Sequence, residues 1–298
     1  MRKIYKIVFF ISLLLTIAAI TVTAVYGLRL GVDFRGGSVL EIAFSKDRPP
    51  SADIEKILTN LSIKDFSISY SGDNTVIIKT PELTEQTHQL ILSDIKSTFS
   101  SSRVDEKRFD SIGPTIGQEL KNKSITAIVI VLISIIVYIA IVFRKLSRVL
   151  SSWAMGTSAV LALIHDISIP IGVFALLGRF QGIEISAVFV AAVLTILGYS
   201  VSDTVVVFDR VRENIVRGKV SEGFGEVVHR SIMQTLSRSL NTTFTTLLSL
   251  IAIYFFGGES VKFFALALII GIFLGAYSSI FVASPLLVWW TGRRQRAR

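Results

Sequence analysis

The chain has 298 residues, 51% of them hydrophobic, with no cysteine, three histidines and a formal charge of +9. Without cysteine there is no disulfide framework, thiol nucleophile or cysteine-based metal site. The scattered histidines form no His-x-x-x-His pair, which argues against a zinc enzyme. No cofactor, metal centre or enzymatic activity is expected, and the spread of the positive charge along the chain speaks against a nucleic-acid partner.

Six apolar stretches are long enough to cross a hydrocarbon core of about 30 Å; they run approximately over 4–27, 124–143, 154–177, 185–208, 238–257 and 263–290. The first follows Arg2, Lys3 and Lys6, as a signal peptide does. Its apolar run exceeds a usual signal core and no convincing cleavage site precedes Gly27, so it reads as an uncleaved span.

Residues 28–123 are the only sizeable part outside these spans. Ser38–Phe44 is strand-like, Ser51–Asn60 has helical periodicity, and Phe66–Tyr70 and Thr75–Thr80 read as strands joined by Ser-Gly-Asp-Asn. Leu83–Phe99 is a second helix and Val104–Ile112 a weaker strand. The order β-α-β-β-α-β predicts a ferredoxin-like α+β domain. Gly113-Pro114-Thr115-Ile116-Gly117 then reads either as a semi-flexible joint or as a plain domain boundary.

The predicted architecture is an α-helical membrane protein with six transmembrane helices and one extracytoplasmic ferredoxin-like domain. Its parts are residues 1–27, the outer domain and linker 28–123, and a five-helix membrane domain 124–298. Basic residues cluster at one set of span ends: Arg2, Lys3, Lys6; Arg144, Lys145, Arg148; Arg210, Arg212, Arg217, Lys219, Arg230; Arg293, Arg294, Arg296, Arg298. The opposite short loops carry only Arg179 and Lys262. That bias places both termini in the cytoplasm and 28–123 outside. The charged stretch 209–237 reads as a cytoplasmic amphipathic segment, lying along the membrane surface or covered by a partner.

Asp166 and Asp203 fall near the middle of two spans, where a carboxylate costs at least a few kcal/mol. Two such acids suggest ion handling or helix–helix recognition. His165 precedes Asp166, and Pro170 kinks the same span. Around Asp203, Gly198 and Ser202 share a helix side and permit a close neighbour. A carboxyl group in apolar surroundings favours its neutral form and a nearby cation favours the anion, which supplies a switch. For Asp203 the alternatives are ion coupling and structural glue. Arg238, Asn241 and Thr242 at the start of the fifth span are candidates to face it, with interfacial snorkelling the other option for Arg238. Gly31, Asp33, Arg35, Gly36 and Gly37 form a tight junction just outside the first span, anchoring the outer domain or contacting a substrate or partner. It is not a phosphate loop, because no Lys-Ser/Thr follows.

Four segments resemble the SecF family of bacterial protein-export subunits, within the RND transporter superfamily: GVDFRGG at 31–37, HD at 165–166, GYSVSDTVVVFDRVREN at 198–214 and HRSIMQTLSRSLNTTFTT at 229–246. The chain departs from the family pattern at Ser202 and Met233, each standing where an asparagine is usual. The resemblance implies the bacterial cytoplasmic membrane as location. It also implies a SecD-like partner with a second six-span half, a SecYEG-like channel and unfolded exported chains as partners, and membrane lipid around the spans. It further implies proton-driven movement of outer domains, with Asp203 and Arg238 near the proton route and Asp166 assisting. A self-sufficient exporter of the same superfamily is the alternative, disfavoured because alternating-access transporters commonly pair two halves.

Overall fold

The computed structural model describes residues 3–45, 48–142, 152–217 and 223–296. Of the residues in the charge pattern, Arg2, Arg144, Lys145, Arg148, Lys219 and Arg298 lie outside the described residues. The chain forms two compact units, one of Leu30–Ile125 and one of Met1–Arg29 with Thr126–Arg298.

In the Leu30–Ile125 unit, a single helical turn, α2 (Val32–Arg35), follows the first membrane helix, α1 (Lys3–Tyr26), and leads into β1 (Gly37–Phe44). Then come α3 (Ser51–Asn60), β2 (Ser67–Ser71), β3 (Thr75–Thr80), α4 (Glu85–Thr98) and β4 (Val104–Ile112). The sheet order is β2-β3-β1-β4 with antiparallel neighbours throughout, which is the ferredoxin-like arrangement. Strand alternation explains its packing: Leu40, Ile42 and Phe44 on β1 and Val76 and Ile78 on β3 point to one face. There they meet Ile54 and Leu58 of α3 and Ile91 and Ile95 of α4. Each such buried side chain contributes about 1.5–3 kcal/mol. Gly72, at φ +60°, lets the β2–β3 hairpin turn, and the Thr84 hydroxyl accepts from the N–H of Thr87 to cap α4. Exposed Glu85 in the first turn of α4 is held below the usual carboxylate range by its hydrogen bond with Gln89 and, next, by that with His88.

The junction motif is built on close backbone contact. Gly36 and Gly37 have φ of +80° and +122°. A Cβ on Gly36 would lie 2.8 Å from Pro114 Cα, one on Gly117 would lie 2.9 Å from Gly36 N, and one on Gly37 would lie 2.7 Å from the Thr80 carbonyl oxygen. Phe34 is buried and Arg35 exposed, so the apolar ring and the glycines, rather than the Arg35 cation, make the tight fit. Pro114 is the first residue of a continuous helix, α5 (Pro114–Val142), where its missing N–H costs no helical hydrogen bond.

The other unit contains the apolar helices. After α1 and α5 come α6 (Ser152–Gln181), α7 (Ala187–Arg217) and α8 (Phe224–Phe256). The last crossing is α9 (Glu259–Ser278), a π turn (Ser279–Ala283) and α10 (Ser284–Arg296). Among the described residues, six helical segments are long and apolar enough to span a membrane, matching the six expected stretches. Within the 209–237 segment, residues 209–217 end α7 and 224–237 begin α8. Ion pairs one helical turn apart, Arg212 with Asp209 and Arg217 with Glu213, let α7 run on beyond its apolar part.

Small residues set the helix spacing. A Cβ on Gly172 would fall 2.8 Å from Ala19 of α1, one on Gly271 would fall 2.3 Å from Ile196 Cδ1, and one on Gly275 would fall 3.0 Å from Ser200 Cβ. The α9–α7 contact is therefore a Gly-x-x-x-Gly face against a neighbouring helix. Gly271→Val is expected to destabilise the purified protein by about 1–3 kcal/mol, the usual range for overpacking. A thermal unfolding curve that superimposes on wild type would contradict this contact. The π turn ends two residues before Pro285, which cannot donate to the helical ladder.

Candidate functional site

α6 places Asp166 and α7 places Asp203; the last residue of α9, Ser278, reaches the first acid and the first residue of the π turn, Ser279, reaches the second. Asp166 is fully buried. Its Oδ2 accepts from Ser200 Oγ at 2.5 Å and from Ser278 Oγ at 2.7 Å, and its Oδ1 lies 2.8 Å from His165 Nδ1. When the carboxylate is ionised, this last contact places the imidazole proton on Nδ1. The His165 ring, 3% exposed, also stacks on Tyr277 with 6.1 Å between centroids. Tyr277 in turn meets Ser12 of α1, hydroxyl to hydroxyl, at 2.7 Å.

Asp203 is only partly buried. Its Oδ1 accepts from Ser239 Oγ of α8 and its Oδ2 from Ser279 Oγ of the π turn, both at 2.5 Å. The two acids thus centre two adjacent hydrogen-bonded groups, drawn from α6, α7, α8, α9 and the π turn and joined where Ser278 meets Ser279 in the chain. Buried carboxyl groups need such partners, since desolvation without hydrogen bonds is costly.

Of the residues expected at this site, Asp203, Asp166 and His165 come together. Arg238 is exposed and lines a cleft of about 410 Å³ with Asp209, Arg210, Glu213, Gln234 and Thr235. The direct bond to Asp203 comes from the neighbour of Arg238, Ser239. Gly198, Ser202, Asn241 and Thr242 do not join the network: all four are exposed in this chain, and nothing lies within 4 Å of a Cβ placed on Gly198. Helical rotation of about 100° per residue explains this, because Ser202 directly precedes inward-turned Asp203 and Thr242 directly precedes buried Thr243. Thr242 Oγ1 instead donates to the carbonyls of Arg238 and Ser239, both at 3.0 Å. Ser202 and Met233, the two departures from the family pattern, are likewise exposed.

Ser200, Ser239, Ser278 and Ser279 are the residues that sequence reasoning missed as ligands of the acids. The available signal was spacing. Ser231, Thr235, Ser239 and Thr243 recur every four residues on α8, and all are buried. Ser200 and Thr204 repeat the pattern on α7.

Six membrane-length helices, a ferredoxin-like unit and paired buried carboxyl groups define a multi-pass membrane protein with an ionisable core. A model of the "Protein export membrane protein SecD/SecF, C-terminal" family matches residues 92–293, and the "SecD/SecF GG Motif" model matches residues 21–47. The chain belongs to the SecD/SecF family of protein-export membrane proteins. It is 40% identical to the protein translocase subunit SecF of Thermobaculum terrenum, over 96% of this chain and 92% of the relative. It is also 37% identical to the translocase subunit SecDF of Brucella abortus, over 88% of this chain but only 33% of that longer protein. The crystal structure of SecDF from Thermus thermophilus, described as a translocon-associated membrane protein, superposes with a TM-score of 0.79 at 33% identity. It matches 97% of this chain, which spans 38% of that one.

Proposed function

We propose that this chain is the SecF half of a SecD–SecF pair that uses the proton motive force to promote movement and release of exported polypeptides at a SecYEG-like channel. The observation that carries the reading is the pair of carboxyl groups in the apolar bundle, in a chain whose equal-length relatives are translocase subunits. The fused SecDF relatives support a SecD-like partner for a chain with one six-helix half. Asp203 is the proton-binding group in this reading, Arg238 in the adjoining cleft biases its charge, and Asp166 with His165 assists. The positive-inside bias supports cytoplasmic termini and an outer position for residues 28–123, with the Gly31–Gly37 junction, including Asp33, anchoring that domain. The self-sufficient exporter is the weaker reading, because the relatives matched over nine-tenths of their length are named translocase subunits.

Inverted vesicles supply the test. Those containing the chain, its SecD-like partner and the channel are expected to export a preprotein faster with an imposed proton gradient than after ionophore. Omitting this chain should remove most of that difference. Gradient dependence that persists in full without the chain would overturn the assignment.

A further inference from the structure

Ser278 and Ser279 are adjacent residues, yet they bind different acids: Ser278 Oγ donates to Asp166 Oδ2 at 2.7 Å and Ser279 Oγ to Asp203 Oδ2 at 2.5 Å. Consecutive helical positions point about 100° apart, so one short piece of backbone reaches both α6 and α7. Each hydroxyl also has a second acceptor on its own helix: Gly275 O lies 3.2 Å from Ser278 Oγ and Ala276 O lies 2.9 Å from Ser279 Oγ. A hydroxyl has a single proton and serves one of these acceptors fully at a time. Both serines are completely buried, so water does not relieve that competition. The pair also sits where α9 gives way to the π turn, a helical irregularity that recurs at functional sites. Ser284 Oγ donates back to Ser279 O at 2.7 Å, tying the two ends of this turn together.

We propose that Ser278 and Ser279 form a two-position coupler, through which the protonation of Asp203 sets the hydrogen bonding of the Asp166–His165 pair, and the reverse. The inference rests on the reading of Asp203 as the proton-binding group. When Asp203 is ionised, Ser279 donates to it. When Asp203 takes up a proton, its new O–H donates to Ser279 Oγ, and the serine proton turns to Ala276 O. No covalent bond of the serine breaks, and the only proton gained is the one on Asp203. Turning this hydroxyl changes the demand on the Ala276 carbonyl and shifts the start of the π turn. Ser278, one residue earlier on the same backbone, then changes its grip on Asp166. The charged and titratable groups in this circuit are Asp166 and His165 on α6, Asp203 on α7, Arg238 on α8 and Tyr277 on α9. Ser278 and Ser279 are positioning residues here: they act through the two acids.

Infrared difference spectroscopy on the chain co-purified with its SecD-like partner in nanodiscs tests the proposal. The carbonyl band of protonated Asp203 is identified by its loss in Asp203→Asn. Its titration midpoint is then compared with and without Asp166→Asn, in the wild-type and Ser278→Ala backgrounds. Ser278 makes its side-chain bonds to Asp166 and Gly275, not to Asp203. The expected result is that Asp166→Asn displaces the midpoint by on the order of one pH unit in the wild-type background, the range in which two sites titrate as a pair. In Ser278→Ala the displacement should fall to less than half of that. Equal displacement in both backgrounds would overturn the coupler in favour of direct charge–charge coupling, and displacement in neither would overturn coupling altogether. If the double variant does not fold, the Asp203 band of Ser278→Ala alone decides: its frequency should move, and an unmoved band counts against the proposal. A band that never titrates removes the Asp203 reading itself, an outcome distinct from a titrating but uncoupled band.

Discussion

Asp203→Asn is expected to remove the gradient-dependent part of export while leaving insertion and assembly with the partner intact. Asparagine matches aspartate in shape, and its amide can accept from one of Ser239 and Ser279 and donate to the other, so both contacts can persist. The stability change should accordingly stay near 1 kcal/mol, the scale of one exchanged hydrogen bond. What is lost is the ability to carry a charge. One elementary charge moved across 100 mV is worth about 2.3 kcal/mol, or roughly 50-fold in a conformational equilibrium. Export by inverted vesicles should therefore become equal with and without ionophore, at the basal rate. If the variant still responds to the gradient as wild type does, the coupling group lies elsewhere. Asp166→Asn, which touches three donors at once, serves as the contrasting variant.

The second large effect is expected at Gly37. Gly37→Ala would force an L-residue to φ +122° and set its Cβ 2.7 Å from the Thr80 carbonyl oxygen. The backbone conformation alone costs about 1–3 kcal/mol. The clash adds to it, because the obstacle is main chain and not a movable side-chain tip. Thr80 pairs with Ser38 in the β1–β3 ladder, so the strands must part at that end. Hydrogen exchange on the full chain should show lost amide protection along β1 and β3, with the membrane helices still protected. Wild-type protection in those strands would mean that the junction tolerates a side chain.

Most of the architecture was legible because its signals are strong. Hydrocarbon thickness picks out six apolar stretches, and alternation with a Gly-containing hairpin turn picks out the strands of the ferredoxin-like unit. Asp166 and Asp203 were legible for the opposite reason: they violate the local pattern at a cost that a merely structural helix would avoid. Their ligands were not. Serine in a membrane helix serves equally as a small packing residue and as a donor, so the sequence does not mark Ser278 and Ser279 as donors before α6 and α7 are placed beside them. The ends of α7 and α8 were not legible because charged residues mark the limit of an apolar span without ending the helix. Ion pairs such as Arg212 with Asp209 sustain the helix in water just as apolar side chains sustain it in lipid. Arg238 was a candidate to face Asp203, and helical rotation gives the direct bond to its neighbour Ser239 instead.

The backbone contact of Gly36 with Pro114 and Gly117 brings the entrance and exit of the ferredoxin-like unit side by side. An insert whose two ends meet behaves as a cassette: it can be swapped, enlarged or deleted with a linker of a few residues bridging the cut.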